Sequence, residues 1–170
     1  GWEKPSWDEY FMDKAFLIAQ RSIDTATKCG CVVVDKNHRP LSFGYNGPPA
    51  GCDDSKIPMT RPEKYLFMEH AEANAIDNAA AKGIALENSI FYITGPPCVK
   101  CLRSILQVGA SEIIYGPVGA ACIDEADKKA KEILLSGRKN SLMREFKGRG
   151  YRKVLEMALK YDLIKNGKTD

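Results

Sequence analysis

The sequence predicts an α/β layer fold, with helices on both faces of a sheet. Short β-branched runs alternate with longer stretches of helical periodicity, the pattern of layered α/β domains. Glycine and proline clusters separate these runs, and there is no internal repeat or low-complexity segment. With 170 residues, 44% of them hydrophobic and 28% charged, the chain is long enough for one domain with a proper core.

The elements follow in order. Ser6-Trp7-Asp8-Glu9 has capping-box spacing, with Ser6 as N-cap and Glu9 at the third helical position. It opens a helix to about Arg21, in which Phe11, Ala15 and Ile18 recur at helical spacing, and Trp7, Tyr10 and Phe16 read as core or subunit contacts. Residues 29–35 form a β-branched run that reads as a buried strand, and residues 41–45 a second strand closing a hairpin. His38 sits on the intervening turn and reads as a solvated polar residue. Residues 46–69 hold four prolines and are expected to be a long ordered loop, the kind that is usually functional. An alanine-rich helix runs from His70 to Lys82, with Gly83 as its C′ residue. A strand over 88–94 is broken by Gly95-Pro96-Pro97, a helix follows over 98–108, and a short strand spans 112–115. Asp124, Glu125 and Asp127 suit the first turn of a helix to Leu135, where they face its positive end. After Leu135 the sequence shows no closing β-run. It carries Arg138, Lys139, Arg144, Lys147, Arg149 and Arg152, and residues 151–165 read as a final amphipathic helix. This tail reads as a solvated extension, an oligomer contact or an anion-binding strip.

Bulk properties exclude several classes. A net charge of +3, from 25 basic and 22 acidic residues, is too small to argue for a nucleic-acid partner. No apolar run approaches the roughly 18 residues that span a membrane, and the first residues lack the apolar core of a secretory signal. Six cysteines are too few for a disulfide scaffold. Their Cys-x-x-Cys grouping, with a histidine elsewhere, reads as metal chemistry in a reducing cytoplasm.

Two short stretches concentrate that chemistry: His70-Ala71-Glu72 and Pro97-Cys98-Val99-Lys100-Cys101. His70, Cys98 and Cys101 can hold a tetrahedral zinc ion and leave its fourth position to a water. Both stretches fall at expected helix N-termini, whose exposed N–H groups stabilise thiolates. Pro97 suits a helix start, where a missing N–H costs nothing. Glu72, two residues past His70, faces another direction and is placed to move protons for that water. A redox pair or a closed structural zinc site are the alternatives. The first leaves His70 and Glu72 unexplained, and the second needs a fourth protein ligand. Cys29 and Cys31 share a strand face and read as small core residues.

The arrangement H-x-E…P-C-x-x-C resembles the zinc-dependent nucleobase deaminases. Residues 19–24, Gly44-Tyr45-Asn46-Gly47-Pro48-Pro49-Ala50-Gly51-Cys52-Asp53-Asp54 and His70-Ala71-Glu72-Ala73-Asn74-Ala75-Ile76 resemble the deoxycytidylate (dCMP) deaminase family more narrowly, phage-type members included. The likeness extends from about Tyr10 to Leu135. It implies a three-layer α/β/α cytidine-deaminase-like fold around a central mixed sheet of about five strands. A deaminase domain over residues 1–135 is then expected, with a basic extension, 136–170, packed on it. The implied reaction is hydrolysis of dCMP to dUMP and ammonia, using one catalytic Zn2+ held by His70, Cys98 and Cys101, with Glu72 catalytic. Asp24 falls where some phage relatives place a cysteine ligand of a second, structural zinc, so a single zinc is expected.

The resemblance also implies a cytoplasmic enzyme supplying dUMP for thymidylate synthesis. Such enzymes are commonly hexamers, activated by dCTP and inhibited by dTTP, with Mg2+ accompanying the triphosphate. The effector would lie near Lys28, Tyr45, Asn46, Gly47, Gly51 and Asp54. The substrate residues expected are Arg21, Ser22, Asn46, Ala71 and Tyr115. Arg21 and Ser22, with Lys28 nearby, can donate to a phosphate, although surface solvation is an equal reading for Arg21 and Lys28. Asn46 can pair with a sugar hydroxyl or base edge or serve turn chemistry. Tyr115 ends a strand, where α/β folds bind ligands, and core packing is its other reading. Alternatives for the chain are a deaminase of a free nucleoside, a nucleobase or a tRNA base. Less favoured are a nucleic-acid-editing module and a zinc fold without catalysis. Neither a membrane nor a nucleic-acid partner is expected.

Overall fold

The computed structural model describes residues 4–120, 123–138, 142–147, 156, 159 and 160. Its centre is a five-stranded mixed sheet in the order β2-β1-β3-β4-β5. The strands are β1 (Gly30–Val34), β2 (Pro40–Tyr45), β3 (Ile90–Ile93), β4 (Glu112–Tyr115) and β5 (Leu142–Glu145). β1 pairs antiparallel with β2 and β3, while β3, β4 and β5 run parallel. The described helices are α1 (Trp7–Ala19), α2 (Ala71–Ala81), α3 (Val99–Gln107) and α4 (Glu125–Ser136).

Alternate side chains of each strand face opposite ways, and the sheet uses both directions. Val32, Val34, Tyr92 and Ile114 pack with Phe11, Met12, Ala15, Phe16 and Ala19 of α1 on one face. Cys31, Val33, Phe91, Ile93 and Ile113 pack with Ala71, Ala75 and Ala79 of α2 and Leu102, Ile105 and Leu106 of α3 on the other. Leu134 and Leu135 of α4 close the edge of that second cluster. Burial on both faces explains why β1 reads as an uninterrupted apolar run.

Ser6 caps α1 as its spacing implies, accepting a hydrogen bond from the Glu9 N–H at 3.1 Å. Phe16 is buried, whereas Trp7 and Tyr10 are 50% and 40% exposed. His38 is not simply solvated: it adopts φ +63° and stacks on Trp7 with ring centroids 4.4 Å apart. α2 ends in a Schellman motif. Gly83 has φ +67°, its N–H donates to Ala80 O, and Ile84 N–H donates to Ala79 O.

The structure departs from the sequence reading after Leu135, where β5 supplies the fifth strand. Leu-Met-Arg-Glu lacks β-branched residues, and its side chains are mostly exposed, because an edge strand needs little apolar patterning. Its register, Glu112↔Leu142 through Tyr115↔Glu145, and the burial of Phe146 tie it to the core. The helix expected over 151–165 lies largely outside the described residues, as do Lys139, Arg149 and Arg152; Glu156, Leu159 and Lys160 are helical.

Candidate metal centre and substrate cavity

Two helix starts converge on one point. His70 is the N-cap of α2, with extended backbone and a side chain that caps nothing, so its imidazole is left for other work. Cys98 is the N-cap of α3, and its sulfur accepts the Cys101 N–H at 3.4 Å. His70 Nδ1 lies 3.5 Å from Cys98 Sγ and 3.4 Å from Cys101 Sγ. Zinc–sulfur and zinc–nitrogen bonds of about 2.3 and 2.0 Å, at a tetrahedral angle, separate the donor atoms by about 3.5 Å. The three residues therefore fit a zinc ion bound through Nδ1. They are also the one group of three such ligands among the described residues.

The electrostatics of the cluster follow from these contacts. The Cys101 thiol and the His70 ring both hydrogen-bond to Cys98 and hold its thiol down to about 3. Cys101 is pushed up, first by that same bond and then by burial. His70 is raised, chiefly by its bond to the Cys98 sulfur, with burial opposing. Glu72 is 5% exposed. Burial raises its carboxyl pKa, against the pull of its own backbone N–H, the nearby imidazole and the Cys101 thiol.

A cavity of about 310 Å3 opens on this cluster. His70, Ala71, Glu72 and Cys98 line it on the metal side, and Asp24, Thr27 and Asn46 line its wall. Arg61, Lys64, Tyr65, Met68 and Glu69, all from the 46–69 segment, also line it. That segment is an ordered strap. Its ends are joined by paired Gly47 and Glu69 backbone hydrogen bonds of 3.0 and 2.8 Å, and it contains two one-turn 3-10 helices, Asp54–Lys56 and Glu63–Leu66.

A family model described as the cytidine and deoxycytidylate deaminase zinc-binding region matches residues 5–117. The chain belongs to this family. It is 38% identical over 120 residues to a probable deoxycytidylate deaminase of Drosophila melanogaster, covering 64% of this chain and 58% of that protein. It is 39% identical over 118 residues to deoxycytidylate deaminase of Mus musculus, covering 64% of each. The chain thus spans less than two thirds of the length of these relatives. The crystal structure of dCMP deaminase from the cyanophage S-TIM5, in complex with dCMP and dUMP, is similar with TM-score 0.64 and 26% identity, covering 85% of this chain and 100% of that one. The mixed sheet and its helix layers are the cytidine-deaminase-like α/β fold.

Within this deaminase fold, His70, Glu72, Cys98, Ala71 and Asn46 line one cavity, and Cys101 adjoins them through His70 and Cys98. Arg21, Ser22 and Tyr115 do not line it. Arg21 is exposed, with its guanidinium 6.0 Å from the Tyr45 ring centroid. Ser22 is buried and donates through Oγ to Asn46 O at 2.7 Å. Tyr115 ends β4 opposite Glu145 of β5. The Asn46 amide bonds locally: Oδ1 accepts the Cys29 N–H at 2.8 Å, and Nδ2 donates to Thr27 O at 2.9 Å. Among the residues expected around an effector, Lys28 donates to Ser22 O and Tyr45 O accepts from Asn74 Nδ2. Gly47 joins the strap ends, Gly51 takes φ +86°, and Asp54 starts the first 3-10 helix. Asp24 is bonded to Lys64 through both carboxylate oxygens.

Sequence reasoning expected an ordered loop over 46–69 but did not single out Arg61, Lys64, Tyr65, Met68 and Glu69 as its cavity-lining residues. Their inward positions depend on how the two one-turn helices fold the strap, and no periodicity marks that.

Proposed function

We propose that the chain deaminates dCMP hydrolytically to dUMP and ammonia. The observation carrying this reading is the His70-Cys98-Cys101 cluster opening, with Glu72, into one nucleotide-sized cavity. When bound, zinc supplies Lewis-acid activation of the attacking water, lowering its pKa towards about 7. Glu72 takes a proton from that water and delivers it to pyrimidine N3. The water oxygen adds to C4, and Glu72 then relays the proton of the new C4 hydroxyl to the amine, so that the C4–N bond breaks, ammonia leaves and a C4 carbonyl remains. Burial suits Glu72 to this shuttle, because raising its carboxyl pKa makes it a stronger proton acceptor than an ordinary carboxylate. The Ala71 N–H belongs to the first turn of α2, whose orphan donors suit the base edge.

For the phosphate, Arg61 lines the cavity and forms no ion pair among the described residues, so a phosphate is a fitting partner for its guanidinium. Arg21 and Ser22 remain candidates only if the substrate reaches beyond this cavity. The supply of dUMP to thymidylate synthesis belongs to the same reading. So do activation by dCTP and inhibition by dTTP with Mg2+, hexameric assembly and a cytoplasmic setting. No described helix is long and apolar enough to cross a membrane.

The decisive experiment compares turnover of dCMP, deoxycytidine and cytosine by the zinc-loaded protein. A strong preference for dCMP is expected, and equal rates on all three would overturn the nucleotide claim. Repeating the dCMP assay with each triphosphate, alongside solution mass, tests regulation and assembly.

A further inference from the structure

The geometry points to Lys64 as a positioning residue: its ion pair with Asp24 latches the 46–69 strap so that Arg61, Tyr65 and Met68 wall the zinc cavity. Lys64 is 3% exposed, although it lies on a strap whose next three residues, Tyr65, Leu66 and Phe67, are 59%, 85% and 42% exposed. Apolar burial would have seated the strap the other way round, with the rings inward and the ammonium in water. The Lys64 ammonium instead reaches both oxygens of Asp24, at 3.1 and 3.0 Å.

Asp24 is itself firmly held. Its Oδ1 accepts the Ala26 and Thr27 N–H groups at 2.8 and 3.2 Å, and its own N–H donates to Ser22 Oγ. The anchor is thus a rigid turn between α1 and β1. The same turn is stitched to the start of the strap through Ser22 and Asn46. The Gly47–Glu69 pairing closes the strap's base, and among the described residues the Lys64–Asp24 pair is its buried ionic attachment. A fixed geometry of two hydrogen bonds defines where the Glu63–Leu66 turn sits. That in turn defines the cavity face carrying Arg61.

This inference rests on the dCMP reading for its kinetic readout, and a second readout is independent of substrate. Lys64→Met leaves Asp24 buried without its cation, whereas Lys64→Met with Asp24→Asn removes both charges, which is often tolerated. In Lys64→Met, KM for dCMP should rise at least about tenfold and kcat should fall less, with zinc content kept at one per chain. Protease cleavage within the strap should quicken about tenfold. In the double variant, thermal stability should recover while KM stays high, because no ion pair then ties the Glu63–Leu66 turn to residue 24. Recovery of KM together with stability would mean a merely structural pair and would overturn the proposal. So would KM and strap cleavage in Lys64→Met within twofold of the unsubstituted protein. If the unsubstituted protein does not turn over dCMP, the substrate reading has failed, and unchanged strap cleavage then decides against the latch by itself.

Discussion

Glu72 shows how much of this site one residue decides. Its neighbours His70, Cys98 and Cys101 fit a zinc ion, and its own carboxyl, almost fully buried, lines the cavity beside them. Glu72→Ala should therefore keep zinc and lose turnover by about 10²- to 10⁴-fold, the usual contribution of a general acid–base group. Metal analysis beside a deamination assay checks both halves. The ligands predict a pH dependence of their own. Zinc must displace protons from Cys101 and His70, both held up in the metal-free protein, so its affinity should rise with pH. Competition with a chromophoric chelator from about pH 6 to about pH 8 measures this; a flat response would contradict it. These residues were legible because their spacing is local: two apart in one motif, three in the other, each at a helix start. Arg61 and Lys64 were not legible. Their roles arise from contacts with Asp24 and the cavity, across the whole strap.

At the scale of elements, close approach and buried charge carry the site. A Cβ on Gly44 of β2 would meet Ala71 O and Ala75 N at 2.5 Å. Both are backbone atoms of the helix that presents His70 and Glu72. Gly44→Ala should thus move α2 outwards, destabilise the fold by about 3 kcal/mol and weaken zinc binding; calorimetry and metal competition report the two effects. The Asp24–Lys64 pair predicts a specific acid response. Burial raises the Asp24 pKa, but Lys64 and the Ala26 and Thr27 N–H groups outweigh it, and the net shift is downwards. A lowered folded pKa means that the unfolded chain takes up the proton first. The stabilisation is complete above the unfolded value of about 3.9 and is lost as pH falls through the lower folded value. Asp24→Asn should cost about 3 kcal/mol at neutral pH, by leaving Lys64 buried and unpaired, and should lose less on acidification than the unsubstituted protein. Urea unfolding at both pH values separates these effects. Helices and strands were readable to within a residue or two where caps and glycines mark them, as at Ser6 and Gly83. The pairing of β3 with β1, by contrast, is long-range and leaves no local trace.

For the whole molecule, β5 carries the sheet past Leu135. A sheet closed at β4 would leave that strand's parallel edge open, and β5 covers it. Arg144 of β5 donates to Glu112 of β4 at 2.8 Å and to Asp8 of α1 at 2.7 Å, while Asp8 also accepts the Tyr92 hydroxyl of β3 at 2.7 Å. Three strands and a helix thus share one polar junction. Arg144 is about half exposed, so the junction fixes orientation more than it stabilises. The apolar anchor is Phe146, just past β5, 2% exposed and packed in the α1 cluster. The Leu-Met-Arg-Glu strand escaped sequence reading because an edge strand is recognised by what lies beside it, and Phe146 is a lone aromatic in a basic stretch. Its burial makes a strong demand. Removing a buried phenylalanine costs about 3 to 5 kcal/mol, and in a chain of this size each kcal/mol lowers the midpoint by about 2 to 4 °C. Phe146→Ala should therefore lower the thermal midpoint by roughly 10 °C. Arg144→Met should shift it far less, because an exposed ion pair contributes about 1 kcal/mol or less. Thermal unfolding followed by circular dichroism distinguishes the two, and equal small shifts would mean that the residues after Leu135 are not part of the core.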